Sequence, residues 1–149
     1  MICPLCGHEN TKVNDTRSSQ DGLSIRRRRE CVKCGYRFST LEETEILDMT
    51  VIKRDGRREN YNKDKLIRGL ERALEKRQYQ PEAFHSLVQQ IERDIQKLKK
   101  SEVTTEQIGQ IVMNNLKQFD QVAYIRFASV YRAFTDASSF VNELEKLNN

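Results

Sequence analysis

Cys3-Pro4-Leu5-Cys6-Gly7 and Cys31-Val32-Lys33-Cys34-Gly35 contain all four cysteines of this 149-residue chain. A tetrahedral Zn²⁺ takes four thiolates, and a Cys-x-x-Cys turn presents two of them from one tight loop. The glycine after each pair suits a backbone that must fold back toward the sulfurs at positive φ. Two such turns around a hairpin-length spacer predict a small β ribbon in which zinc stands in for a core. Two disulfides and a redox-active pair are the competing chemistries. The opening Met1-Ile2-Cys3 lacks the apolar run of a secretion signal, so a reducing cytosol is the expected compartment. A thioredoxin-type motif should follow a strand, and only two residues precede Cys3. Structural zinc on Cys3, Cys6, Cys31 and Cys34 is the expectation, with His8 not required as a ligand.

Working outward, Val13 to Thr16 and Gly22 to Glu30 read as strands joined by a turn at Ser18-Ser19-Gln20-Asp21-Gly22, with Asp21-Gly22 as the hairpin signal. Tyr36 to Thr40 alternates aromatic and polar residues, as a half-buried strand does. Glu42-Glu43-Thr44-Glu45 reverses the charge and reads as a linker. The expected organisation is a ribbon over residues 1–46 and a second module over 47–149.

Charge separates the two modules. Residues 1–40 hold eight of the 26 Lys/Arg and four of the 22 Asp/Glu, which leaves 18 of each sign in the rest. The whole net charge of +4 therefore lies on the cysteine module. A polyanion is its natural partner. Arg26-Arg27-Arg28-Arg29 falls on a strand, so Arg26 and Arg28 face one way and Arg27 and Arg29 the other. One pair can reach base edges while the other grips phosphates. Charged residues on an edge strand also block aggregation, but four adjacent arginines exceed that need, and nucleic-acid contact is the stronger reading. With Arg17 and Arg37, these six arginines form the expected DNA-contacting set.

In the second module, Met49 to Lys53 and Arg57 to Tyr61 flank Arg54-Asp55-Gly56 and predict another hairpin. Helices follow. Asn62 caps the first, which carries Leu66, Ile67, Leu70, Ala73 and Leu74 at helical spacing to about Arg77. Pro81 opens the second, with Phe84, Leu87, Val88, Ile91, Ile95 and Leu98 as its stripe. Thr104-Thr105-Glu106-Gln107 is a capping box for the third. Asp120 caps a fourth running to about Phe134, and Asp136 starts a short terminal helix. Tyr124, Phe127, Tyr131 and Phe134 are spaced as helix core. The fold class is α+β: a zinc-ribbon β domain, then a β-hairpin with a helical bundle. No apolar stretch is long enough to span a bilayer, so a soluble protein with no membrane partner is expected.

Lys53, Arg54 and Lys65 surround the expected start of the first helix, where free N–H groups and the helix dipole favour an anion. No G-x-x-x-x-G-K-[ST] run is present, so this is not a P-loop. On physics alone, a phosphate site and an ordinary basic hairpin both remain open.

The segment Val51-Ile52-Lys53-Arg54-Asp55-Gly56-Arg57-Arg58-Glu59-Asn60-Tyr61-Asn62-Lys63-Asp64-Lys65 resembles the start of an ATP-cone, a nucleotide-sensing module found in many ribonucleotide reductases. A Cys-Pro-x-Cys ribbon with Asp15-Thr16-Arg17 and Ile25-Arg-Arg-Arg-Arg-Glu-Cys31, joined to such a cone, resembles the NrdR family, as does Val122 to Arg132. The resemblance covers almost the whole chain. It implies a bacterial repressor of ribonucleotide reductase genes that senses ATP and dATP. It places Val51 against adenine, Lys53, Arg54 and Lys65 at the phosphates, Glu59 and Asn62 beside the nucleoside, and Thr105 at the pocket's edge. Mg²⁺ would arrive with the phosphates rather than on Asp55, Glu59 or Asp64. Gly109 stands where several reductase cones carry histidine, which implies looser discrimination or room for a second nucleotide. Ser39 stands where the family carries threonine.

The expected function is thus a cytoplasmic, homo-oligomeric, nucleotide-responsive repressor that binds promoter DNA through its ribbon. The alternative is an allosteric accessory subunit that binds a reductase or another enzyme directly. No nucleophile–base pair and no open metal site is present in the sequence, so catalysis is not expected.

Overall fold

The computed structural model describes all residues except Asp21, Leu47 and Asn149; of Asn148 only the backbone is described. The chain divides into two compact units, Met1–Glu45 and Ile46–Asn149.

The first unit is a three-stranded antiparallel sheet of β1 (Thr11–Ser18), β2 (Ser24–Cys31) and β3 (Arg37–Glu43), in spatial order β1-β2-β3. The two cysteine turns have the same backbone bonding. Cys3 N–H donates to His8 O at 2.8 Å and Gly7 N–H to Cys3 O at 3.0 Å; Cys31 N–H donates to Tyr36 O at 2.9 Å and Gly35 N–H to Cys31 O at 3.0 Å. Gly7 and Gly35 sit at φ 70 and 71, where a side chain is strained. His8 thus serves its turn through its carbonyl. Among the described residues of this unit, only Cys3, Ser24 and Cys31 are buried, so the sheet has almost no apolar core. At the β1–β2 connection Asp21 lies outside the described residues, and Gly22 has φ 71.

Two details depart from the sequence expectation. The acidic stretch read as a linker is partly strand: Glu42 and Glu43 continue β3, and Glu42 pairs with Arg27 of β2. The ladder runs on through Ile25–Glu42 and Ser24–Glu43, with the Arg27–Glu42 ion pair diagonal to it. The β1–β2 register also slips by one residue. Val13 pairs with Arg29 and Asp15 with Arg28, so Asn14 is an extra residue with no register partner across the ladder. Such a bulge reverses the facing of every later side chain on its strand.

The second unit combines a small sheet with helices α1 (Lys63–Ala73), α2 (Pro81–Lys97), α3 (Thr105–Phe119), α4 (Gln121–Tyr131) and α5 (Ala137–Asn148). The expected hairpin is β4 (Thr50–Ile52) with β5 (Arg58–Asn60). A third strand, β6 (Glu102–Thr104), pairs parallel to β4 on its other side. The sequence did not predict it, because one apolar residue, Val103, is too short a pattern and the pairing is non-local.

The caps place the helices as expected. Asn62 Oδ1 accepts from Lys65 N–H, Thr104 and Gln107 form a reciprocal capping box, and Asp120 Oδ1 accepts from Ala123 N–H. Asp136 Oδ1 accepts from Ser139 N–H at the start of α5. Helix α4 stops at Tyr131, three residues early, where Ala133 takes φ 50. Leu70, Ile91, Ile95, Met113 and Leu116 are fully inaccessible and centre the core. Among the described residues, no helix is long and apolar enough to cross a membrane.

Candidate functional site

The first site is the cysteine cluster. The four Sγ atoms all lie within 4.8 Å of one another, with Cys3–Cys34 at 3.7 Å and Cys6–Cys31 at 3.6 Å. Zn–S bonds of about 2.3 Å give a tetrahedron with S···S edges of about 3.8 Å, so the sulfurs fit a ZnS₄ centre. None is disulfide-bonded. The Cys34 backbone N–H is the main influence holding the Cys31 thiol down to about 7. The Tyr36 N–H lowers Cys34, but loss of water and the neighbouring sulfurs push it up to about 12. Sulfurs this close share their charge poorly unless a dication lies among them.

The second site is the exposed sheet face beside that cluster. The Arg26 and Arg28 side chains are exposed and make no hydrogen bond or ion pair with a described residue. Arg27 and Arg29 are half-buried on the opposite face. Arg27 pairs with Glu42, and Arg29 donates to Thr40 Oγ1 and Thr11 Oγ1 at 3.4 Å. The bulge at Asn14 brings Asp15 and Arg17 onto the Arg26/Arg28 face, where Arg37 also lies, in register with Glu30. Arg17 stands directly opposite Arg26. Like charges at opposed positions destabilise a sheet, and an anion across them removes that penalty. Glu30 is held well below the usual carboxylate range by hydrogen bonds from Lys12, Asn14 and Arg37.

The third site lies in the helical unit. A cavity of about 250 Å³ is lined by Val51 of β4, Glu59 of β5, Lys53, Tyr61 and Asn62 of the connections, Lys65, Leu66 and Gly69 of α1, Thr105, Ile108, Gly109 and Val112 of α3, and Phe127 and Tyr131 of α4. Its body is apolar and aromatic, as suits a planar base. Its polar rim carries two lysines on one acid. Lys53 Nζ lies 2.9 Å from Glu59 Oε1, and Lys65 Nζ lies 2.9 and 3.0 Å from the two Glu59 oxygens. Lys53 first, then Lys65, hold the Glu59 carboxyl below its usual range. A wider recess of about 660 Å³ lies along the α1–α2 connection. Its wall is mostly Glu, Gln and Arg/Lys with Tyr79 as its one aromatic, whereas Tyr61, Phe127 and Tyr131 all line the smaller cavity, which is the better match to a planar base.

Six of the seven residues expected around a nucleotide line this cavity: Val51, Lys53, Glu59, Asn62, Lys65 and Thr105. Arg54 does not. Its Nε donates to Glu106 at 3.2 Å, its Nη2 donates to the Tyr131 carbonyl, and its guanidinium lies 5.7 Å from the centre of the Tyr131 ring. Gly109 opens no extra space. A β-carbon there would meet the Tyr131 ring, whose hydroxyl donates to Glu106 O at 2.7 Å. The room implied for a second nucleotide is filled by this ring. Tyr131 and Phe127, stacked at 6.0 Å, are lining residues that helical spacing assigned to the core. Helical spacing alone carries no signal that separates such residues from core.

Comparison with known proteins follows the same division. Residues 1–42 match the family model described as "Transcriptional repressor NrdR-like, N-terminal domain", and residues 49–137 match the ATP cone domain. Curated relatives named "Transcriptional repressor NrdR" align over 147 residues, 99% of this chain. They include those of an Exiguobacterium species (49% identical, 95% of the relative covered), Limosilactobacillus fermentum (46%, 97%) and Listeria welshimeri (49%, 96%).

Proposed function

The chain belongs to the NrdR family of transcriptional repressors, and on that premise we propose that its adenine-nucleotide cavity controls how its arginine-faced ribbon grips promoter DNA. The observation that carries this reading is the cavity rim. Lys53 and Lys65 converge on Glu59, a single carboxylate standing where polyphosphate would provide several. A nucleotide seats its base against Val51 and the aromatic wall. Its phosphates compete with Glu59 for the lysines, and Arg54 leaves Glu106 to join them. Asn62 and Thr105 close the edge. Mg²⁺ enters with the phosphates.

Structural zinc holds the ribbon when bound to Cys3, Cys6, Cys31 and Cys34. The chain's own part is to fix those sulfurs and present arginines on a rigid sheet. Arg26 and Arg28, with Arg17 and Arg37, meet the DNA, while Arg27 and Arg29 brace the opposite face. One ribbon offers few contacts, so copies joined in a homo-oligomer supply the affinity by raising effective concentration. ATP and dATP act by linkage, each favouring the assembly it binds better. The protein acts in the bacterial cytoplasm, without catalysis, on promoters of ribonucleotide reductase genes.

The test is binding of a ribonucleotide reductase promoter fragment, titrated with ATP, with dATP and with both. A different affinity or assembly size in at least one condition is expected. An identical response in all three would sink the sensor reading.

A further inference from the structure

Two carboxylates sit among the cations of the ribbon's exposed face, where electrostatic attraction to DNA alone would exclude them. Glu30 lies between Lys12 and Arg37 in one cross-strand row, and Asp15 lies opposite Arg28 in the next. Each holds an arginine by the same atom. Arg17 Nε donates to Asp15 Oδ2 at 2.9 Å, and Arg37 Nε donates to Glu30 Oε2 at 2.9 Å. Glu30 is itself fixed by Asn14 Nδ2 at 2.9 Å and Lys12 Nζ at 3.2 Å. Exposed ion pairs of this kind add little stability, so their value lies elsewhere.

A guanidinium tied at Nε keeps both terminal nitrogens free. Those two form the fork that matches O6 and N7 of guanine in the major groove. The tie also removes rotamer freedom that a base contact would otherwise have to freeze. Arg17 and Arg37 remain 73% and 80% exposed at the side chain, so the forks are open to a ligand. Arg26 and Arg28 have no such tie, and a mobile cation suits phosphates, whose positions are the same for every sequence.

We infer that Asp15 and Glu30 are positioning residues that aim Arg17 and Arg37 at guanine, while Arg26 and Arg28 grip phosphates. The division of labour rests on the ribbon being the DNA-binding element. The one-residue bulge at Asn14 is part of the same arrangement, because without it Asp15 and Arg17 would lie on the Arg27/Arg29 face.

The experiment uses full-length, zinc-loaded protein with ATP and dATP in parallel, and a duplex pool randomised in its central segment. Bound sequences are compared with affinity for one fixed arbitrary duplex across a salt series. The wild type should enrich guanine at defined positions. Asp15→Ala and Arg17→Lys should each cut that enrichment about fivefold or more. Their salt slope on the fixed duplex should stay unchanged or steepen. Asp15→Asn, which keeps an acceptor for Nε, should recover part of the enrichment. Arg26→Gln and Arg28→Gln should weaken all duplexes alike and each reduce the salt slope by about 1. Zinc content of every variant, read by chelator release, keeps loss of folding apart from loss of aim. Unchanged guanine enrichment in Asp15→Ala, with wild-type zinc content, would overturn the inference, as would a changed base pattern in Arg26→Gln. A wild type that binds no duplex under any condition would instead overturn the DNA-binding reading itself.

Discussion

A β-carbon added to Gly109 would lie 2.0 Å from Cε2 of Tyr131, so the ring of α4 rests directly on the bare backbone of α3. The ring walls the cavity from that side, and Phe127 stacks behind it. Gly109→Ala must displace the ring. Overpacking of this kind costs about 1–3 kcal/mol, and the midpoint of the helical unit's denaturant unfolding, followed at 222 nm, should fall accordingly. Nucleotide affinity measured by calorimetry should change in the same variant, because the displaced ring alters the cavity wall.

The lysine pair on Glu59 makes a second expectation. Lys53→Ala with Lys65→Ala should reduce ATP and dATP affinity by at least about tenfold, since hydrogen bonds to charged groups are the strong ones. Glu59→Gln removes the resident competitor and should tighten binding of inorganic triphosphate, which has no nucleoside to engage the rest of the cavity. Isothermal titration with nucleotide and with triphosphate separates the two effects.

Metal removal should act on one unit only. Among the described residues, the cysteine unit buries only Ser24 and the metal-binding Cys3 and Cys31, whereas the apolar core lies in the second unit. A strong chelator is therefore expected to melt the sheet and abolish DNA binding while the 222 nm helical signal persists. Parallel loss of the helical signal would contradict it.

Acid should find Asp120. This residue caps α4 and lies 2.9 Å from Arg77 Nε. Burial alone would raise its pKa, but the Ala123 N–H and Arg77 outweigh that and hold it below the usual aspartate range. A depressed folded pKa gives stabilisation that is complete above the unfolded value and is lost as pH falls through the folded one. The helical unit should thus lose stability below about pH 4. Asp120→Asn keeps the cap but not the charge and should flatten that slope. Asp120→Ala should cost about 1 kcal/mol at neutral pH. Denaturant melts between pH 2 and 7 check both.

The one buried residue described in α5 supplies a further expectation. Glu143 is 2% exposed, accepts from Tyr124 Oη at 2.6 Å, and meets Arg132 at 3.0 Å and Lys146 at 3.1 Å. Glu143→Ala leaves the buried Tyr124 hydroxyl without its acceptor, while Arg132 and Lys146 remain partly in water, and should cost about 1–3 kcal/mol. Faster amide hydrogen exchange confined first to α5 would be its signature.

Much of this was legible in the residues because its causes are local. Cysteine spacing gives the turns, and Asn62, Thr104, Asp120 and Asp136 mark helix starts by side chains that bond within three residues. Strand alternation separates Arg26 and Arg28 from Arg27 and Arg29. What escaped depends on distant partners. Val103 becomes a strand only because Val51 lies beside it, and Arg54 turns to Glu106 and Tyr131 across the fold. Tyr131 carries helical spacing whether it fills a core or walls a cavity. The bulge at Asn14 has no residue signature, so the facing of Arg17 could not be read from sequence.

That bulge gives the ribbon a parity. A strand has two phases, and residue 14 decides which of them carries the second half of β1. Deleting Asn14 would remove no charge and no zinc ligand. It would nevertheless turn Asp15 and Arg17 away from Arg26 and Arg28, exchanging the inside and outside of that segment. Chains of this kind should therefore tolerate substitution along β1 better than a change of its length by one.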